Sequence, residues 1–295
     1  MTSIAAQPIE QPAAASVRRP GLVRQAMRNR AVVIGGLILA ACVTLGVLAP
    51  WLGTTDPQFI DVTKRLKMPG ENHPLGTDHF GRDIYSRVLY GARISLFVGF
   101  AVAVLSIVIG TIIGLISGYV RAVDIVVMRV MDGLMAIPGI LLAIALIAVS
   151  GATLTTVIIA ITIPDIPRIV RLVRGVVLSL REEPYVEAAI SLGTPVWRIL
   201  MSHILPNTIA PLIVQGTFIA ASAILVEAGL SFLGAGVPPE IPTWGNVMAE
   251  GRTYFRLAPW IIFFPGIMLS MAVLAVNIMG DGLRDTLDPR LMKRV

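Results

Sequence analysis

The residues able to do chemistry fall into three groups. In the first, His73, Asp78, His79, Arg82, Asp83 and Arg87 crowd into residues 73–93, just before an apolar run. Two histidines six apart, with no nearby third ligand, make a poor zinc site, so no metal is expected. The acids and arginines suit a salt-bridged cap or a protein contact instead. The second group is the ionisable residues inside apolar runs: Arg129, Asp132, Asp165 and Glu227. Each would cost about 2.5–3.5 kcal/mol at mid-bilayer, so each must face protein, water or a partner. Arg129 and Asp132, three apart, can pair on one helix face. Asp165 lies between Pro164 and Pro167, at a hinge or a simple kink. Glu227 precedes Gly229 and SFLGAG, near the outer mouth, in a structural pair or on a solute path. The third group is the charged, Pro- and Gly-interrupted stretch REEPYVEAAISLGTPVWRILMSHILPN, residues 181–207.

No catalytic constellation is expected. A phosphate-cradling loop needs G-x-x-x-x-G-K-[ST], yet the only lysines are Lys64, Lys67 and Lys293, none preceded by Gly. H-E-x-x-H and G-x-S-x-G are absent as well. Cys42, the single cysteine, allows no intramolecular disulfide and no cysteine metal cluster, and suits core packing.

The elements that carry these groups are membrane spans. The chain has 295 residues, 55% hydrophobic and 14% charged, too apolar for an ordinary soluble domain. A bilayer core of about 30 Å needs about 20 apolar residues per helix. Uncharged runs of that size cover residues 31–53, 94–120, 133–164, 204–226 and 257–280. The third is too long for one span, and Ser150-Gly151 divides it into helices over residues 123–149 and 152–177. Six spans follow, with the first a retained anchor. Within the second, Gly110, Gly114 and Gly118 line one helix face and invite close approach by another helix.

Orientation follows from Arg18, Arg19, Arg24, Arg28 and Arg30, which hold the tail of residues 1–30 in the cytoplasm. Residues 31–53 are then the first span and residues 54–93 an extracytoplasmic loop. Residues 94–280 form a core of five spans, with a cytoplasmic loop at 181–207 and an extracytoplasmic loop at 235–259. Residues 281–295 are a cytoplasmic tail. Residues 1–16 lack anything to bury and are expected to be disordered; residues 17–30 suit a basic helix on anionic membrane lipid. The net charge of +6 is dispersed around the spans, which argues against nucleic acid.

Residues 181–207 read as an elbow. Pro184 suits the first turn of a helix, Glu182 and Glu183 favour its N-terminal end, and Gly193 stops it. Thr194-Pro195 then reads as a cap and first turn of a second short helix that runs through Trp197 to Pro206. A short helix clamped between two spans loses little entropy on docking to a soluble partner.

EAAISLG followed by HILPN resembles the EAA loop of ABC importer permeases. HPLGTDHFGRDIYSRVLYGARISL, SFLGAGVPPEIPTWGNVM and GDGLRDTLDPR resemble, in order, blocks of the dipeptide/oligopeptide/nickel permeases of the second-subunit type. The resemblance covers residues 24–290. It implies an all-α integral membrane protein of the type I importer permease fold, in a bacterial cytoplasmic membrane with both termini inside. It also implies a heterodimer with a second, homologous permease, two cytoplasmic ATPases that hold ATP and Mg, and an extracytoplasmic binding protein that delivers peptides. Tyr185, Glu187, Ala188, Ala189, Leu192, Gly193, Trp197, His203, Leu205 and Pro206 would couple to the ATPases. Asp78, Arg82, Asp83 and Arg87, with Pro242 and Trp244 of the second outer loop, are the candidate outer gate or binding-protein contact, and Trp244 suits the membrane interface. Gln215, Ser222, Glu227 and Asn277 are candidate path-lining residues. The competing reading is an ion-coupled secondary transporter in which Asp132, Asp165 or Glu227 carries protons.

Overall fold

The computed structural model describes residues 25–287. The expected disordered tail, most of the basic surface helix and the end of the C-terminal tail lie outside them. Among the described residues there are helices and isolated bridges but no strands.

The first span, α1 (Arg30–Leu48), starts where Asn29 accepts a bond from the Ala31 amide at 2.9 Å. The same side chain donates to the Gly282 carbonyl at 3.0 Å, tying this end of α1 to the last helix. Helix α2 (Ile84–Tyr119) is capped by Asp83, which accepts from the Ser86 amide at 2.8 Å. Next come α3 (Arg121–Ala136), α4 (Gly139–Ser150) and α5 (Leu154–Arg181). The expected single helix over residues 123–149 is in fact two, bent by 91° at Ile137-Pro138. Proline lacks the amide a helix needs and pushes the residue before it out of helical backbone, and Ile137 has φ −94 and ψ 128. The expected stop at Ser150-Gly151 is present, with Gly151 at φ 83.

Helix α5 opens with a capping box between Thr153 and Thr156 and stays helical through Pro164 and Pro167. It is followed by α6 (Pro184–Ser191), α7 (Val196–Ile199), α8 (Leu205–Phe232), α9 (Trp244–Gly251) and α10 (Trp260–Leu287). Four continuous stretches, Arg30–Trp51, Ile84–Tyr119, Val196–Phe232 and Trp260–Leu287, are long and apolar enough to cross a membrane, and α3–α4 together qualify as a fifth candidate, a broken span or a re-entrant loop. Helix α5, expected to be a further span, is about 42 Å long at helical rise but is not among these apolar stretches. Its second half carries Arg168, Arg171 and Arg174, which need partners there.

The expected glycine face is the centre of the bundle. A Cβ on Gly110, Gly114 or Gly118 would come within 2.5, 2.8 and 2.7 Å of the Cβ atoms of Ile169, Val173 and Val177, so α2 and α5 pack with almost no space between backbones. Val98, Val157, Ile161, Ile199, Ile204 and Ile219 extend this apolar core to the elbow and to α8. Cys42 is buried in a second cluster with Ala92, Trp244 and Ala272, in the packing role expected of it.

Candidate functional site

The elbow lies at the end of the bundle where α2 stops and α5 ends. Glu183 is the cap residue of α6 and Pro184 its first residue, as the sequence implies. At its far end Gly193 takes φ +74, and the Gly193 and Thr194 amides donate to the Ile190 and Ala189 carbonyls at 2.9 and 3.1 Å. This doubly bonded stop needs a left-handed residue, which glycine adopts without steric cost.

The second arm differs from expectation. Pro195, not Thr194, occupies the cap position, and no side chain caps α7. The arm is no separate helix either: α7 passes through a π turn, Leu200–Ile204, directly into α8. The wider turn, closed by Leu205 N–H to the Leu200 carbonyl, sets Pro206 at the start of a new helical segment. A missing amide costs little there, so the proline continues the helix rather than ending it.

Val186, Ile199 and Ile204 are fully buried against the bundle and Ala189 nearly so. Leu192 is 85% exposed and Trp197 62%, with Tyr185 and Ile190 also exposed. The elbow is thus seated on one face and apolar on the other. Ala188, Leu205 and Pro206 continue these surfaces, and the His203 ring stacks near Tyr185 at 6.3 Å. Glu187 lines a polar recess of about 480 Å³ with Tyr119, Arg121, Asp124 and Arg181.

At the opposite end, the expected salt-bridged cap exists with a partner that sequence reasoning missed. Asp78, fully buried, accepts from Arg82 Nε at 2.6 Å and from Arg87 Nη1 at 2.8 Å. Both arginines also bond Glu250 of α9, with Arg87 Nη2 to Oε1 at 3.1 Å. Nothing local in the sequence marks Glu250, which is 163 residues from Arg87. Asp83 stands apart: it caps α2 and meets His73 Nδ1 at 3.1 Å. Asp78, His79 and Glu250 bring ligand atoms within 4.8 Å of one another, but both carboxylates are engaged by guanidinium groups whose charge opposes a cation.

Trp244 does not present its indole to lipid or water. It is fully buried, donating from Nε1 to the Val88 carbonyl at 3.1 Å, because its indole fills the space left open by Gly91. Pro242 is buried beside it.

Asp132 does not pair with Arg129. Arg171 of α5 takes it at 2.6 Å, and Arg174 holds Asp124 through Nη2 at 2.8 Å, so these charges join α3 to α5. The four path candidates are not brought together. Ser222 lines a recess with Asp165 and Arg168, whereas Gln215 lines another with Arg284. Asn277 donates to its own helix at the Val273 carbonyl, 3.0 Å away. Glu227 is fully buried and accepts from Ser231 Oγ at 2.9 Å.

A helical body with four apolar stretches long enough to cross a membrane, a bent fifth candidate and an anchored elbow defines the class: an integral membrane protein. The chain belongs to the family described as binding-protein-dependent transport system inner membrane component, which it matches over residues 106–293. It is 52% identical over 273 residues to the probable peptide ABC transporter permease protein y4tQ of Sinorhizobium fredii, covering 92% of this chain and 94% of that one. It is 42% identical over 269 residues to the dipeptide transport system permease protein DppC of Alkalihalophilus pseudofirmus, covering 91% and 88%. Among solved structures, the inward-facing MetNI methionine ABC transporter matches with a TM-score of 0.55 at 20% identity, over 68% of this chain and 96% of that one. That likeness bears on the fold: an ABC importer permease of type I.

Proposed function

We propose that this chain is one of two different permease subunits of an ATP-driven importer that moves peptides handed to it by an extracytoplasmic binding protein. The names of its relatives support the solute class, and this reading assigns ATP and Mg to two partner ATPases, in keeping with a sequence that carries no G-x-x-x-x-G-K-[ST] loop. No comparison favours the ion-coupled alternative. The arginines ahead of α1 put the elbow and both termini in the cytoplasm.

One observation carries the mechanism: the elbow presents Leu192 and Trp197 outward while Val186 and Ile199 are buried in the core that it shares with α5 and α8. A soluble motor that grips the exposed face moves a seated body, not a loose loop, so its closure reaches the spans without loss in slack. Glu187 offers a carboxylate beside that surface for polar groups of the motor. Outside, Phe59, Ile60, Val62 and Met68 are exposed and offer the binding protein an apolar contact, while the buried Asp78–Arg82–Arg87–Glu250 cluster holds the loop in shape.

The test is reconstitution with the partner permease, the ATPases and the binding protein in proteoliposomes. Peptide uptake that needs ATP and fails under a proton gradient alone supports the reading. Uptake by this chain alone on a proton gradient overturns it.

A further inference from the structure

Where α3 and α4 part at Ile137-Pro138, they leave a recess of about 290 Å³ against α5 and α8. Its wall is divided almost evenly between apolar and polar surface; Asp165, Arg168 and Ser222 bring polar groups into it, and Gly139 and Ile140 bring the N-terminal end of α4. Asp165 is 8% exposed and meets Arg168 Nη1 at 3.2 Å. Arg168 is 55% exposed and held by that one ion pair, whereas Arg171 and Arg174, on the same helix, are committed to acids of α3. Asp165 is about 16 Å along α5 from Leu154 at helical rise, midway through the first 30 Å or so of the helix. Ionisable residues inside a membrane body are costly and characteristically mark solute paths.

Peptides differ in their side chains and share their termini, an ammonium and a carboxylate. We propose that this recess is a transient subsite for the peptide main chain during its passage, an inference that rests on the peptide-importer reading. Asp165 receives the ammonium group. Arg168 swings to the carboxylate, which also gains from the positive end of α4. Exchanging the internal ion pair for a zwitterion leaves the recess with no net charge, so no unpaired charge is stranded in the membrane. A peptide amidated at its C-terminus would leave a surplus positive charge and loses this exchange.

The test uses Ser222→Cys in the assembled importer, with a permanently charged methanethiosulfonate as label; the native Cys42 is 2% exposed. Ala-Ala on the order of millimolar should slow labelling at least about tenfold, and its C-terminal amide should not. Adding Arg168→Gln should abolish the protection, and Arg168→Lys, which keeps the charge, should retain most of it. No labelling, equal protection by both peptides, or protection that survives Arg168→Gln would each overturn the subsite. ATP-driven uptake by the unaltered importer is measured separately; its failure sinks the importer reading, whereas the labelling results sink the subsite alone.

Discussion

A β-carbon added at Gly110 would fall 2.5 Å from the Cβ of Ile169, closer than two such atoms can approach. Gly110→Ala should therefore push α2 off α5. Overpacking of this kind costs about 1–3 kcal/mol, more than the ~1 kcal/mol that alanine gains in helix propensity. Thermal unfolding in detergent should show a lower midpoint. Ile169→Ala should not restore it, because the clash is with Cβ itself; a midpoint unmoved by Gly110→Ala would show that the two helices can part freely.

Glu250→Ala leaves Arg82 and Arg87 sharing Asp78 alone. Breaking a buried pair from one side costs roughly 3–5 kcal/mol, whereas Glu240→Ala, at an exposed site, should change stability by less than about 0.5 kcal/mol. Denaturant titration of both variants separates the two expectations. Equal, small effects would mean that the cap is replaceable by solvent.

Burial holds the His79 imidazole below its ordinary pKa; Asp78 and Glu250 act in the opposite sense, and Arg82 and Arg87 reinforce the lowering. The unfolded chain takes up this proton near pH 6.5 and the folded chain only at lower pH. Stability from this site is therefore complete above about pH 6.5 and falls as the pH drops toward the folded pKa. Hydrogen exchange over residues 73–83, corrected for intrinsic rate, should quicken between about pH 7 and about pH 5.5. In His79→Gln the same comparison should be flat.

Gly193 has φ +74 and nothing within 4 Å of an added Cβ, so the penalty there is conformational alone. Gly193→Ala should cost about 1–2 kcal/mol. Gly193→Pro also removes the amide that bonds Ile190, and should cut uptake at least about tenfold while ATP hydrolysis continues. Full-rate transport by that variant would refute the coupling role.

Leu192 is 85% exposed, so Leu192→Asp should leave folding stability within about 0.5 kcal/mol. A charge on the apolar docking face should nonetheless prevent ATPase subunits from co-purifying with the permease. Unaltered co-purification would place the docking surface elsewhere.

Much of this was legible locally. The turn at Gly151, the stop at Gly193 and the close face of Gly110, Gly114 and Gly118 follow from which residue types tolerate those backbones. Misreadings came where a proline has two local answers. Pro138 breaks its helix, whereas Pro164, Pro167 and Pro206 are carried within theirs, and only the surrounding packing and the π turn at Leu200–Ile204 separate the cases.

By itself the sequence determined that the chain is a membrane body, that it carries a stiff elbow and that it contains no phosphate-binding loop of its own, because apolar run length, turn chemistry and a missing Gly-Lys motif are properties of neighbouring residues. Only the tertiary structure decided that Asp132 belongs to Arg171, that Glu250 closes the cap over Arg87, and that Trp244 is buried. Those outcomes depend on which helix faces meet. That choice is made by shape and packing over separations of tens to hundreds of residues, where a charge or an indole looks the same whichever partner it will find.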